Sequence, residues 1–373
     1  MLRYPWSKPI ISEADTLAVK EAVKSTWVSG GSEITDFADN LKEFLDSTHV
    51  IPVNNGTSAL AASFITLNIQ PGDEVIVPAF GFMAAANVLL QMSAVPIFAD
   101  VNDETWCVDA ETLDACISPR TRAIVVTHTY GNSSNFDLIA GTNAEKWNIP
   151  IVEDAAEALG SKLRGKALGT FGDFGTFSFH ATKLITTGEG GAIACHNDEV
   201  AEKLRLIISH GLDRSNHYVH SLPGANFRMP NICAALGNSQ FSRIQSFIME
   251  RREVDSKYRT RVCAMKHANI IDFQKLYTSE IVPWSFPVRL QKFSLEKQRL
   301  AATLLLQKGI EVRPGFRTPN LLPYFDSRVN PMCFPNASSL SVRILSLPAY
   351  PSINEEDIDY ICESLDNVIE EVG

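Results

Sequence analysis

A lysine stands in the middle of the most informative stretch of the chain, GTFSFHATKLITTGEGG over residues 175–191. A run of aromatic and small residues leads into Lys183, and a glycine-rich turn follows it. Apolar neighbours hold a lysine amine neutral by desolvation, and a neutral amine is what imine formation with an aldehyde requires. The same residues also suit a surface lysine in a hairpin. A Walker-type phosphate loop places its glycines before the lysine; here they come after it, so that reading is set aside. A second candidate, Asp154, closes the apolar run IPIVE. A carboxylate there could pair with a protonated pyridine nitrogen, the feature that makes pyridoxal phosphate an electron sink, or could cap the helix that follows. The third candidate, Asn55-Gly56-Thr57-Ser58, lies between a strand-like segment and an alanine-rich helical pattern. Its glycine, hydroxyls and helix N-terminus offer donors to a phosphate, and they equally make an ordinary N-cap turn. His180, between Phe179 and Ala181, reads as a packed histidine and takes no catalytic role.

Such residues need elements to hold them. Ser12 opens an expected helix with Glu13 and Asp15 in its first turn, and a second amphipathic helix runs from about Ile34 to Leu45 after the Trp27–Gly31 break. From about residue 50 to 195, short apolar runs alternate with helical stretches: EVIVPAF, AVPIFAD, RAIVVTHTY, IPIVEDAA, DFGTFSF and GAIAC. Continuous apolar runs bounded by Gly, Pro or Asp indicate a sheet buried on both faces, and ligands bind such sheets beyond the carboxyl ends of their strands. A long helix is expected from Met229 to about Lys257. A smaller unit follows, with strands at IVPWSFPVRL and IEVRP and helices at LEKQRLAATLLLQKG and NEEDIDYICESLDNVIEEV.

A chain of 373 residues is too long for one small core. The pattern divides it into residues 1–235, a large α/β domain with N-terminal helices, and residues 236–373, a linking helix with a small α+β domain. A content of 45% hydrophobic and 20% charged residues sets aside disordered, collagenous and membrane classes. The net charge of −10 is spread along the chain and repels a nucleic-acid duplex. Seven cysteines without a CxxC pair argue against a disulfide framework or zinc site. A charged, proline-containing N-terminus and the lack of any apolar run near the roughly 20 residues that span a bilayer make the cytoplasm the expected compartment, with no membrane partner.

Taken together, NGTSAL, GDEVIVPAFGFMAAAN, VEDAAEALGS, GTFGDFGTFSFHATKLITTGEGG and GANFRMPNICAALG resemble the DegT/DnrJ/EryC1/StrS family of sugar aminotransferases, in order and nearly end to end. The resemblance implies an aspartate-aminotransferase-like α/β fold, fold type I, with pyridoxal 5'-phosphate as cofactor. Lys183 would join the cofactor aldehyde and shuttle the proton. Asp154 would pair with the pyridine nitrogen, Glu157 would lie near the phenolic oxygen, and Phe82 would stack on the cofactor face. Gly56, Thr57, Ser58 and Ser178 fall at the phosphate. Asn226 would reach the phosphate of a neighbouring subunit, which implies a homodimer with shared sites. Trp27, Arg313, Phe316 and Arg317 fall on the substrate side.

The same resemblance implies L-glutamate as donor, leaving as 2-oxoglutarate, and a nucleotide-linked keto sugar as acceptor, in ping-pong order. The TGEGG tail after Lys183 looks like members that aminate C4 of a 4-keto-6-deoxy sugar. EDAAEALGS, DETW and ITTGEGG are similar to members acting on the GDP-linked sugar. Phe179-His180-Ala181-Thr182 is a form commoner among users of UDP sugars, and Thr318 and Asn320 stand where the family often has Pro and His. UDP- or dTDP-linked 4-keto or 3-keto sugars are therefore the alternative acceptors. A sugar dehydratase of the same fold would carry histidine in place of the lysine, and Lys183 speaks against it. A silent cofactor-holding regulator would need its defect at the sugar end.

Overall fold

The apolar runs of the first half form one sheet, and their alternation decides which residues face which core. Strands β1 (His49–Val53), β2 (Glu74–Pro78), β3 (Val95–Ala99), β4 (Thr121–Thr127), β5 (Ile151–Asp154), β8 (Phe174–Ser178) and β9 (Gly191–Cys195) lie in the order β1-β9-β8-β5-β4-β2-β3, and β6 (Lys162–Leu163) pairs with β7 (Lys166–Ala167) apart from them. Neighbouring pairs are parallel except those made by β9, which runs antiparallel to both β1 and β8. On β2, Val75 and Val77 enter the core on one face of the sheet while Ile76 enters the core on the other, as a period of two requires. The structure, a computed structural model, describes residues 2–134, 143–213, 218–325 and 329–373.

The N-terminal helix Glu13–Lys24 begins at Ser12, whose hydroxyl accepts from the Asp15 amide in a capping box. Asp15 does more than suit the helix dipole. It is fully buried and accepts from Ser239 Oγ at 2.6 Å, Gln240 Nε2 at 2.8 Å and Arg243 at 2.7 and 2.8 Å. That pairing accounts for a departure from the expected single helix over 229–257. Two helices, Asn231–Phe241 and Ile244–Cys263, are found instead, with Arg243 at φ −115° between them. Its guanidinium is held by Asp15 and lies 5.1 Å from the Phe247 ring. Residues 235 and 236 fall within the first of these helices.

Helix Ile244–Cys263 spans two cores. Phe247 and Ile248 pack beneath the large sheet, while Val254, Tyr258 and Val262 pack on the second. That second sheet is antiparallel, with β10 (Ile271–Phe273), β11 (Phe286–Leu290), β12 (Arg313–Pro314) and β13 (Ile344–Leu347) in the order β10-β11-β13-β12. Helices Leu295–Gln307 and Glu355–Val372 pack against it. Two expected strands are shorter than their apolar runs. In IEVRP only Arg313–Pro314 joins the sheet, because Ile310 bridges to Tyr4 instead. In IVPWSFPVRL the strand begins at Phe286, and Trp284 before it turns into the cleft described next. No helix among the described residues is long and apolar enough to cross a membrane.

Candidate active site

The carboxyl ends of β1, β4, β5 and β8 meet at one edge of the large sheet, and each delivers a residue to the same cleft of about 670 Å³. Its walls include Asn55, Gly56, Thr57, Ser58, Phe82, Thr127, Asp154, Glu157, Ser178 and Lys183. Helix Gly56–Thr66 starts there. Asn55 caps it by accepting from the Ser58 amide at 2.8 Å, and the hydroxyls of Thr57 and Ser58 sit in the first turn. A side chain at position 56 would bring its Cβ within 3.1 Å of Ser178 Cβ, so glycine keeps this corner open. Gly191 on β9 is needed for a closer reason: a Cβ there would lie 2.6 Å from the Asn55 carbonyl carbon.

Asp154 ends β5 in the floor of the cleft. Its Oδ1 accepts from the Ala156 amide at 3.2 Å, and it enters no ion pair among the described residues. Burial raises its pKa, against the opposing pull of that amide and of Lys183 and His128. Its neighbour Glu153 points the other way into the fold. There it accepts from His128 Nε2 at 2.9 Å and from the amides of Gly169, Phe171 and Gly172 at 2.7, 2.5 and 2.6 Å. A fully buried carboxylate so saturated locks the 169–172 turn to the end of β5.

Lys183 lies five residues beyond the end of β8, its side chain 14% exposed, with Nζ 3.9 Å from Glu157 Oε1. Burial lowers its pKa; the Glu157 and Asp154 carboxylates oppose this, and the Arg251 guanidinium adds to it. The other Glu157 oxygen accepts from the Tyr130 amide at 2.7 Å. Tyr130 presents that amide from a left-handed backbone, φ 58°. Burial pushes the Glu157 carboxyl up to about 7, despite the lowering influence of Lys183 and the Tyr130 amide.

That shift has a stability consequence. With its folded pKa above the ordinary carboxyl value, Glu157 retains a proton in the folded chain that the unfolded chain has lost, so stability falls as pH rises from about 4.5 through 7. Glu157→Gln removes this fall. In cofactor-free protein the variant matches wild type near pH 4.5 and exceeds it at pH 8 by up to roughly 3 kcal/mol, at about 1.4 kcal/mol per pH unit. Urea unfolding of both proteins at the two pH values is the measurement; equal differences at both would refute the assignment.

The structure thus gathers Gly56, Thr57, Ser58, Phe82, Asp154, Glu157, Ser178 and Lys183 around one cleft. It leaves Trp27, Asn226, Arg313, Phe316 and Arg317 outside its walls in a single chain. Trp27 is 68% exposed after the first helix, and Asn226 accepts from Arg228 Nε at 3.1 Å. Arg313 pairs with Glu311 and lies 5.8 Å over the ring of Trp6, itself a cleft wall. Phe316 stacks on Tyr130 at 5.2 Å, and Arg317 donates to the Ser341 carbonyl at 2.7 Å. Trp6, His180, Glu189 and Trp284 also line the cleft, beyond the residues expected there. Only His180 and Glu189, inside the Lys183 motif, carried a local signal.

Pyridoxal phosphate fits this donor set. A helix N-terminus with two hydroxyls and Ser178 beside it suits the phosphate, a buried carboxylate that enters no ion pair among the described residues suits the pyridinium, and a desolvated lysine suits the aldehyde. The fold with this cleft defines a fold type I pyridoxal-phosphate transferase. The model of the DegT/DnrJ/EryC1/StrS aminotransferase family matches residues 9–366. The chain is 35% identical over 352 residues to the GDP-perosamine synthase of Caulobacter vibrioides, covering 94% of each chain. It is 32% identical over 369 residues to that of Vibrio cholerae, covering 97% of this chain and 98% of the relative. Among solved structures, a sugar aminotransferase candidate of Streptococcus pneumoniae in its PLP form superposes with TM-score 0.91 at 27% identity, over 99% of both chains. The chain belongs to the DegT/DnrJ/EryC1/StrS aminotransferase family, and pyridoxal phosphate is its cofactor.

Proposed function

We propose that this sugar aminotransferase moves an amino group from L-glutamate to C4 of a GDP-4-keto-6-deoxyhexose, giving a perosamine-type product. The observation that carries the chemistry is the convergence of Lys183, Asp154 and the Gly56–Ser58 helix start on one cleft. Likeness to the GDP-perosamine synthases supports the choice of nucleotide and ring position, together with the TGEGG run at 187–191. When bound, the cofactor supplies an aldehyde to carry the amino group and a pyridine ring that draws off negative charge.

The residues around it have separate tasks in this reading. Lys183 Nζ takes and returns the proton, a task helped by the burial that lowers its pKa and by the Glu157 carboxyl 3.9 Å away. Asp154 supplies a fixed negative charge for the pyridine nitrogen. Amides and hydroxyls of Gly56, Thr57 and Ser58, with Ser178, hold the phosphate. The Phe82 ring, 68% exposed at the cleft, covers one face. Glu157 adjusts the charge on Lys183. Asn226, Trp27, Arg313, Phe316 and Arg317 serve the sugar-nucleotide end or the neighbouring subunit of a homodimer, in keeping with their places outside one chain's cleft.

The test is a visible spectrum of the cofactor-loaded protein before and after L-glutamate, followed by product analysis with GDP-, UDP- and dTDP-linked keto sugars. Glutamate is expected to bleach the lysine-linked band, and the GDP-linked 4-keto-6-deoxy sugar to be aminated in preference to the others. A band indifferent to glutamate would overturn the donor. Preferred amination of a UDP or dTDP sugar would overturn the acceptor.

A further inference from the structure

Lys183 has an aromatic neighbour as close as its acidic one. Its Nζ lies 3.9 Å from the centroid of the Trp284 ring, the same distance as from Glu157 Oε1. The ring is fixed from several sides. Its indole N–H donates to the Thr182 carbonyl at 3.0 Å, so the ring is tied to the residue immediately before the lysine. The Trp284 carbonyl accepts from the buried Arg251 guanidinium at 2.8 Å, and its amide donates to the Tyr130 carbonyl at 3.1 Å. Trp6 meets it edge-on at 5.2 Å and Tyr130 lies parallel to it at 6.3 Å. Because the Tyr130 amide also holds Glu157, the ring and the carboxylate on the lysine are referred to one backbone position.

An aromatic face attracts an ammonium through its quadrupole, more strongly where water is excluded, and tryptophan does so best among the side chains. Burial and Arg251 act on Lys183 in the opposite sense, toward the neutral amine, while Glu157 and Asp154 favour the charged form. A lysine that alternately joins and leaves a cofactor needs a defined place to wait. We propose that Trp284 is a positioning residue for Lys183, its ring face and the Glu157 carboxylate forming the berth in which the lysine ammonium rests whenever it is not joined to the cofactor. This rests on the role given to Lys183 under the proposed function.

The test uses cofactor-free full-length protein. Acylation of Lys183 by acetic anhydride is followed against pH by peptide mass spectrometry in wild type, Trp284→Leu and Trp284→Phe. Loss of the ring frees the amine at lower pH, so the labelling midpoint falls by roughly half to one pH unit in the leucine variant and by less in the phenylalanine variant. The phenylalanine variant, which keeps an aromatic face and most of the packing, carries the test if leucine disturbs the fold. In loaded enzyme kcat falls several-fold, with KM for the sugar nucleotide held. A wild-type midpoint in both variants, or a raised KM with the midpoint unmoved, overturns the berth. Borohydride reduction of the loaded wild type separates the two readings: cofactor fixed on Lys183 upholds the lysine whatever Trp284 does, and cofactor fixed elsewhere overturns both.

Discussion

On the role proposed for Lys183, Lys183→Ala is expected to abolish the visible band of a lysine-linked cofactor and to lower amino transfer by at least about a thousandfold, the scale on which a positioned proton-transfer and nucleophilic group acts. Among the described residues no other lysine lines the cleft, so none of them offers a neighbouring amine to replace it. The variant is expected to fold as well as wild type or better, because it removes an amine that burial drives toward neutrality. Spectra and thermal melts taken together therefore separate lost chemistry from lost structure. Full transamination by a folded Lys183→Ala protein would end the mechanism proposed for this site.

Asp154→Asn is expected to leave the lysine-linked band in place while kcat falls roughly 10²–10⁴-fold. This corresponds to the ~3–5 kcal/mol lost when one partner of a buried charge pair is removed. The substitution keeps the shape and the acceptor that receives the Ala156 amide at 3.2 Å, so what it removes is charge. Burial raises the Asp154 pKa. A cation arriving at that carboxylate draws the value down again, and cofactor affinity should therefore weaken as pH falls through the carboxylate range in wild type and not in the asparagine variant. Stopped-flow half-reactions with glutamate give the rate, and cofactor titrations at two pH values give the affinity. An unchanged half-reaction would show that the pyridine nitrogen is served by something else.

Lys183, Asp154 and the Gly56–Ser58 turn each sit within a few residues of a strand end, and a strand followed by a short turn has few ways to place its next side chain. Reading the strands was therefore enough to bring these residues to one edge of a sheet. Helix Glu13–Lys24, its Ser12 cap and the closing helix Glu355–Val372 were legible for the same local reason.

Other features depended on partners far away in the chain. Asp15 has the composition of a first-turn dipole residue, but it is the buried acceptor for Ser239, Gln240 and Arg243. That contact also divides a continuous helical pattern at Arg243. Glu153 and Asp154 are adjacent carboxylates on one strand, and the pleat sends one to His128 and the 169–172 amides and the other to the cleft floor. Trp284 reaches Lys183 from a segment about a hundred residues away, and Trp6, near the N-terminus, meets the Trp284 ring.

By itself the sequence determined the α/β class, the strands of the large sheet and the place of Lys183 in the turn beyond one strand end, because all of these follow from short-range geometry and hydrophobic period, while the role proposed for that lysine came from the family resemblance. Only the tertiary structure decided which side chains are buried against Lys183, and hence how its charge and that of Glu157 are set. Desolvation and ring contacts are properties of packed surfaces, and elements distant in sequence supply those surfaces.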